Sequence, residues 1–356
     1  MMKKIDYLVI GQGIAGTLLA HELSRQRRDF VVIDPNGHNA SKTAAGMYNP
    51  VVLKRFSPVW QGKAQILTAR QTVAELEKMF NTTLDNQLPI QRLFHNAMEK
   101  QTWSKKALDK PLDELLDRRF IGSPAAAIYA PYGLGTVNFG GRINLPKLLA
   151  HYRQHLAKQG KIRTALCDYR RLKIAETHVE YDDIIAEKVV FCEGYGIKQN
   201  PFFNQLPLNG NKGEVLTVRI PHLHLKAAIK SKVFLLPLPE QGEDIYFVGA
   251  TYHWTDKDDR PTAEAKQALL EKLRTFVSAD IEVLAHRAGV RPTVADRRPL
   301  LGQHHIHRPL YVLNGLGTRG VMLGATMAKQ LYQFIEDGMA LDPAVNIQRF
   351  TRQQEE

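Results

Sequence analysis

Cysteine is scarce in this chain: of 356 residues only Cys167 and Cys192 carry a thiol, at a spacing that suits neither a disulfide framework nor a zinc site. A reducing compartment, the cytoplasm, is therefore the expected home. No apolar run approaches the roughly 20 residues that a membrane helix needs, so no membrane span is expected. The first residues lead straight into a strand-like segment, and no signal peptide is expected either. Internal repeats and low-complexity tracts are missing. Acidic residues are in deficit, 36 against 48 basic, for a net charge of +12. That balance fits either anionic partners or a basic surface with no specific partner, because the positive residues are dispersed. The densest groups, Arg25, Arg27 and Arg28, then Lys100, Lys105, Lys106 and Lys110, suit solvated helix faces. No acid–base dyad can be picked out. His304, His305 and His307 lie between Gly302 and Pro309 without a carboxylate pair nearby, which predicts a solvated loop rather than a metal site. His222 and His224 read the same way.

What the chain does have is a glycine-rich start. Ile5 to Ile10 is apolar and reads as a buried parallel strand. Gly11-Gln12-Gly13-Ile14-Ala15-Gly16 follows at once in the pattern G-x-G-x-x-G. Helical spacing runs from Thr17 to Arg28, a second strand from Phe30 to Ile33, and Asp34 closes it. Gly11 allows the tight turn, Gly13 lets backbone approach a pyrophosphate, and Gly16 lets the helix pack closely on the strand. The helix N-terminus offers free N–H groups and a positive dipole end to phosphates. Asp34, eighteen residues beyond Gly16, is placed to accept hydrogen bonds from ribose hydroxyls. Strand, helix, strand and terminal acid in this order predict a mononucleotide-binding βαβ unit, read here as seating FAD, against a glycine-rich turn without a ligand. The anionic partners favoured by the charge are then FAD itself, a carboxylate substrate or RNA.

Length suits two domains, and 44% hydrophobic with 24% charged residues is a globular composition. After Asp34 the run Ser41, Lys42, Thr43, Ala44, Ala45, Gly46, Met47 fits either a backbone passing close to a planar ligand or a plain surface loop. An amphipathic helix is expected over 61–80, and strands over 88–94, 125–132 and 136–145. The stretch 111–119 is expected at the surface. Pro146 starts a helix that Gly160 ends. The apolar run 188–191 leads into Cys192-Glu193-Gly194, as expected where a sheet's carboxyl edge meets a ligand. Residues 201–211 read as a crossing between domains. Antiparallel strands are expected at 214–220, 233–238 and 245–251, a helix at 262–277 and a long strand at 281–291. A strand at 310–313, Gly315-Leu316-Gly317-Thr318-Arg319-Gly320 and a helix at 321–335 then repeat the opening arrangement, and the tail beyond Gly338 is expected to be peripheral. This second helix start, with Arg319, fits either stabilisation of negative charge near N1 and the C2 carbonyl of a reduced flavin or a plain surface position.

Together these pieces resemble the D-amino acid oxidase-like (DAO) family of FAD-dependent oxidoreductases over essentially the whole chain. The resemblance is carried by GQGIAG with Asp34, SKTAAGMYNP, GRINLPKLLAHYRQHL, VVFCEG, NKGEVLTV, YFVGATYHW, AGVRPTVADRRPLLG and LYVLNGLGTRGVMLGATMAKQL. The nearest branches are glycine oxidase and the flavin domain of the bifunctional tRNA 5-methylaminomethyl-2-thiouridine biosynthesis protein, whose methyltransferase domain has no counterpart here. The resemblance implies an α/β chain with a Rossmann-like FAD-binding domain of glutathione-reductase type (1–87, 133–205 and 287–356) and a smaller α+β substrate domain with an antiparallel sheet (88–132 and 206–286).

It implies that Gly11, Gly13, Ile14, Ala15, Gly16 and Asp34 hold the ADP part of FAD, and that Ser41, Thr43, Ala44, Ala45, Gly46 and Met47 line the pyrophosphate and ring. Gly194 lies by the cofactor, and Gly317, Thr318, Arg319 and Gly320 face the pyrimidine edge of the flavin. Arg291, in GVRP, matches an arginine that clamps a substrate carboxylate, a task suited to a planar guanidinium. The tyrosine that family members place before the pocket is Phe234 here, with Tyr252 as the substitute. No cysteine lies near GVRP, so FAD is expected to be noncovalent. No metal is implied, and no oligomeric state is assigned. The reaction expected is oxidation of a C–N bond of a small carboxylated amine: Arg291 anchors the carboxylate, hydride passes to flavin N5, and the imine hydrolyses in water. The alternatives are a tRNA-modifying flavoenzyme acting on a carboxymethylaminomethyl group and a non-catalytic nucleotide-binding interaction protein.

Overall fold

In a computed structural model, which describes residues 2–350, the four apolar runs that open, follow and close the glycine turns lie side by side. Lys3–Ile10 pairs in parallel with Phe30–Ile33 on one side and Ile184–Phe191 on the other. Ile162–Arg163 extends the sheet beyond Phe30–Ile33, and Leu310–Asn314 extends it beyond Ile184–Phe191. In chain order the parallel strands run third, second, first, fourth, fifth. Tyr7, Leu8, Val9, Val189, Val190 and Phe191 are completely buried, as expected of parallel strands covered on both faces. The order reverses between the first and fourth strands. In such sheets the crevice outside the carboxyl ends at the reversal is where ligands bind.

The helix Ile14–Arg25 and the C-terminal helix Gly320–Glu336 cross at glycines. A methyl group built on Gly320 would lie 3.0 Å from Ile14 Cγ2, and one on Gly324 would lie 2.5 Å from Leu18 Cδ1. At the far end of these elements, Glu336 accepts hydrogen bonds from the buried Tyr7 hydroxyl and from Arg28, and its carboxylate lies 3.3 Å from Lys188 Nζ. First strand, the turn after the first helix, fourth strand and last helix are thereby tied together. The tail differs from expectation: Leu341, Val345 and Ile347 are buried, and Leu301 N–H donates to the Val345 carbonyl at 2.9 Å. Apolar side chains at these positions find the sheet's outer strand, Leu300–Gln303, although the surrounding sequence is polar. The last six residues of that tail lie outside the described residues.

All of these elements belong to a first unit made of Met1–Lys42, Leu145–Asn211 and Val290–Glu356; Thr43–Asn144 and Lys212–Gly289 form a second unit of near-equal length. In this grouping residues 43–87 and 133–144 fall with the second unit. The reason is local pairing: Gly141–Ile143 forms a small antiparallel sheet with Met47–Tyr48 and Asp85–Asn86.

The second unit's large sheet has the order Glu282–Arg291, Asn211–Arg219, Ile245–Gly249, Phe234–Pro237, Ala228–Lys230, Ile90–Leu93, Leu134–Val137, Leu116–Ile121. From Asn211–Arg219 to Leu116–Ile121 the neighbours are antiparallel, except for the parallel pair of Ala228–Lys230 with Ile90–Leu93. Side chains alternate along the strands: Leu216, Val218, Tyr246 and Val248 pack with Leu269, Leu270 and Leu273 of helix Ala263–Arg274. Val215, Ile245 and Phe247 face instead a cluster with Phe56, Phe94 and Trp103. Two expectations fail here. Residues 125–132 form no strand: Pro124 precedes them, Pro131 lies among them, and only Ile128 bridges, to Val277. Residues 111–119 are not superficial: Leu112, Leu115 and Leu116 are buried, and an edge strand begins at Leu116. The expected strand 136–145 divides, Leu134–Val137 joining the large sheet and Gly141–Ile143 the small one.

Candidate functional site

Every glycine turn singled out in the first unit follows the carboxyl end of a parallel strand. Gly11 leaves Lys3–Ile10 with φ +99°, and a Cβ there would lie 2.7 Å from the Cys192 carbonyl oxygen, so the first and fourth turns touch through backbone. A Cβ on Gly16 would overlap the Gly11 carbonyl oxygen, which fixes how closely the helix follows the strand. Gly13 occupies the N-cap with no side-chain acceptor, and Thr17 N–H is the first to reach back, to the Gly13 carbonyl at 2.9 Å. Ile14 N–H donates to Ser41 Oγ at 3.1 Å, which brings Ser41 to the same helix start, with Ala15 and Gly16 in its first turn. A helix N-terminus left without a cap of its own is suited to an anionic group.

Asp34 is buried at the end of Phe30–Ile33. Its Oδ2 accepts Gln12 N–H at 2.8 Å, and its Oδ1 accepts Asn36 N–H at 2.8 Å and Arg153 Nη1 at 2.9 Å. Arg153 also reaches Gln12 Oε1 and Thr164 Oγ1. Gln12 and Arg153 therefore belong to the acid's surroundings, and residue reading missed both. Position x of a motif carries no signal, and Arg153 stands far along the chain. Nearby, burial pulls the Lys42 ammonium below the ordinary lysine value, with the Arg153 charge adding to the effect and Asp34 opposing it. Lys42 donates to the Asn36 and Gly37 carbonyls.

The fourth and fifth turns are linked by Asn314, almost wholly buried, whose Nδ2 donates to the Gly194 carbonyl at 2.9 Å. Gly194 (φ +57°) and Gly317 (φ +57°) both face open space: a Cβ on Gly194 would meet nothing within 4 Å, and one on Gly317 only the Pro292 carbonyl at 3.9 Å. Such a cradle of bare backbone fits a large ligand lying across it. Arg319 is the N-cap of the C-terminal helix, following Thr318 and preceding Gly320, and again no side chain caps the end. The two helix starts are neighbours, through Gly320 against Ile14. Glu193, beside Gly194, accepts the Tyr169 hydroxyl at 2.5 Å and Asn200 Nδ2 at 2.8 Å. Burial holds its carboxyl above the usual range in spite of these hydrogen bonds. Arg291 ends the strand Glu282–Arg291, and its Nη1 donates to Oδ1 of the buried Asn211 at 2.9 Å.

The remaining expected residues lie in the second unit. Ala40–Thr43, expected as irregular chain, is one helical turn, and Thr43 Oγ1 donates to the Ala288 carbonyl at 3.1 Å. Ala44 is exposed, the Ala45 carbonyl accepts Arg142 Nε at 3.1 Å, and Gly46 passes so close to the Ile143 carbonyl that a Cβ would overlap it. Met47 pairs with Arg142 in the small sheet. Tyr252 is 61% exposed on the loop after Ile245–Gly249, and Phe234 packs flat against Phe247, ring centroids 6.2 Å apart.

Both thiols are buried: burial pushes Cys167 up to about 12 and raises Cys192 as well, so neither is a ready nucleophile. His304 departs from the expected solvated loop. It is buried against Phe203, ring centroids 5.3 Å apart, and its Nδ1 accepts the Ile306 and His307 N–H groups. Burial, with the His305 and His307 charges, brings it down to about 4. Among the described residues no group of three or more His, Cys, Asp or Glu could hold a metal, and no helix is long and apolar enough to cross a membrane.

Comparison with known proteins agrees with this arrangement. The model of the DAO family, FAD dependent oxidoreductase, matches residues 6–333. The chain is 24% identical to glycine oxidase of Pseudomonas aeruginosa over 342 residues, covering 91% of this chain and 93% of that protein. It is 24% identical to glycine oxidase of Geobacillus kaustophilus over 354 residues, covering 91% and 90%. Among solved structures, iminodiacetate oxidase from Chelativorans sp. BNC1 superposes with a TM-score of 0.79 at 19% identity, covering 95% of this chain and 98% of that one. The structure of the Geobacillus kaustophilus glycine oxidase gives 0.77 at 21% identity, covering 96% and 97%.

Proposed function

Because the chain belongs to the DAO family of FAD dependent oxidoreductases, we propose that it oxidises a C–N bond of a small amino acid or secondary amine that carries a carboxylate. The observation that carries this reading is Arg291. Asn211 Oδ1 orients its guanidinium without adding a negative charge, and a guanidinium so fixed suits bidentate capture of a carboxylate. Glycine and iminodiacetate, named in two of the relatives, both join an amine to a carboxylate within a few bonds.

FAD, when bound, supplies the two-electron acceptor. In this reading Gly11, Gly13, Ile14, Ala15 and Gly16 present their backbone to the phosphates, while Asp34, held by Arg153 and Gln12, faces the ribose. Ser41, Thr43, Ala44, Ala45, Gly46 and Met47 line the cofactor, and Gly194 and Gly317 leave it room. The start of Gly320–Glu336, with Thr318 and Arg319, stabilises negative charge at the pyrimidine edge. Arg291 fixes the substrate's carboxylate and Tyr252 makes a second contact. Catalysis then rests on orientation and charge stabilisation more than on an acid–base residue.

The test is anaerobic bleaching of the bound flavin by glycine, sarcosine, iminodiacetate and carboxymethylaminomethyl-modified tRNA. Arg291→Leu is expected to keep the yellow cofactor and lose reduction by the carboxylated amines; unchanged reduction removes the clamp. Bleaching by the modified tRNA alone moves the substrate to the tRNA, and a colourless purified protein leaves a nucleotide-binding fold without this chemistry.

A further inference from the structure

We propose that Lys212 is a positioning residue for substrate binding, pinning the loop that presents Tyr252 and Trp254. The inference rests on the reading of Tyr252 as a substrate contact. Lys212 has no solvent-exposed side-chain surface, yet its ammonium is held by two residues of that loop, Asp256 and, at 2.6 Å, Asp258. Both aspartates are themselves partly exposed, so the buried lysine reaches outward to hold a surface segment. The neighbouring backbone is stitched to the same strand. Lys212 and His253 exchange both main-chain hydrogen bonds at 2.9 Å, and Glu214 N–H donates to Thr251 Oγ1 at 2.9 Å. At the loop's far end the Glu214 carboxylate accepts Thr262 N–H at 2.7 Å. Tyr252 therefore stands between two anchored residues, and the ammonium closes the loop beyond it.

Stability alone does not require this arrangement. An apolar side chain of similar volume fills a buried site at no greater cost than a desolvated ion pair. The loop also carries two large aromatic side chains that stay 61% and 51% exposed, Tyr252 and Trp254, and so gain little from burial in this chain. A tether of this kind serves the position of what the loop displays.

The test uses the flavin-loaded enzyme. Asp256→Asn with Asp258→Asn weakens the tether at the surface, Lys212→Met removes it, and Lys212→Arg keeps the charge. Two measurements are made: hydrogen exchange over residues 251–260, and KM and kcat for flavin reduction by sarcosine. The double asparagine variant is expected to exchange faster in the loop and to raise KM about tenfold with kcat held within about twofold. Lys212→Arg is expected to recover part of the loss. In a Tyr252→Phe background the same double change has less effect on KM, because it acts through that residue. Faster exchange with unchanged KM overturns the positioning role, and unchanged exchange overturns the tether itself. If Lys212→Met does not fold, the double asparagine variant decides. If no amine reduces the flavin, the proposed function fails separately. The exchange pattern, and the flavin absorbance shift on adding acetate in place of KM, then decide the role of Lys212.

Discussion

Gly324→Val tests the crossing that brings two helix starts together. A Cβ at Gly324 would sit 2.5 Å from Leu18 Cδ1, 3.7 Å from Leu316 Cδ1 and 3.9 Å from Ile14 Cγ1. Alanine adds only that carbon, and the free end of Leu18 can swing away from it. The overpacking cost is then offset by the roughly 1 kcal/mol of helix propensity that glycine forgoes, so Gly324→Ala is expected to be near neutral. Valine adds two further methyl groups and recovers less propensity, because it is β-branched. Leu18 is 4% exposed, and the added methyl groups need more room than a turn of its free end releases. The helices must separate, at a cost of about 2 kcal/mol within the usual range for an overfilled core. For a unit of this size that lowers Tm by roughly 4–8 °C. Separation also shifts the uncapped N-terminus of Gly320–Glu336 from Ile14. Dipole interactions fade within one turn, so FAD affinity should fall about tenfold. Thermal unfolding of the apoprotein and fluorescence titration with FAD measure the two effects. Gly122→Ala is the control, since a Cβ there meets nothing within 4 Å. Wild-type Tm and affinity in Gly324→Val would refute the crossing.

Glu336→Gln should destabilise the first unit in a pH-dependent way. Burial pushes the Glu336 carboxyl up, but the Tyr7 hydroxyl and the Lys188 and Arg28 charges outweigh it and hold it below the usual value. A depressed carboxyl adds stability above its unfolded value of about 4.3 and loses it as pH falls through the folded value. Wild type should therefore lose its advantage over Glu336→Gln in that acid window, and parallel Tm curves would count against the assignment. Cys167→Ala with Cys192→Ala should still purify yellow and release all its flavin on acid precipitation. Flavin that stays with the wild-type pellet and leaves the double variant would overturn noncovalent binding. Gly16→Ala should purify without flavin, since its methyl group overlaps the Gly11 carbonyl oxygen; a yellow variant would contradict the packing of helix on strand.

Local pattern made the parallel sheet readable. Tyr7 to Ile10, Phe30 to Ile33 and Leu310 to Leu313 are uninterrupted apolar runs, leading into Gly11, Asp34 and Asn314-Gly315 respectively. Elements whose stability comes from elsewhere were not readable. Leu116–Ile121 carries Asp117, Arg118 and Arg119 in a row, which suits a sheet edge and hides the strand. Ala125 to Ala127, Ile128 and Tyr129 look like a strand, but the flanking prolines leave no ladder for them. The site shows the same division. Gly11, Gly13, Gly16 and Asp34 announce themselves by spacing. Arg153 and Asn211 act only because the fold carries them to Asp34 and Arg291. Lys212 gave no sign, since nothing in its sequence neighbourhood separates a buried lysine from a solvated one.

The interleaving of the two units has a consequence for synthesis. The first unit is assembled from three separated stretches of chain, and its fifth parallel strand, Leu310–Asn314, emerges from the ribosome after nearly everything else. Until it arrives, Val189, Val190 and Phe191 present an apolar edge with nothing to pair against. A product that terminates before residue 310 would retain that sticky border, so translation arrest there should yield aggregates and not a soluble fragment.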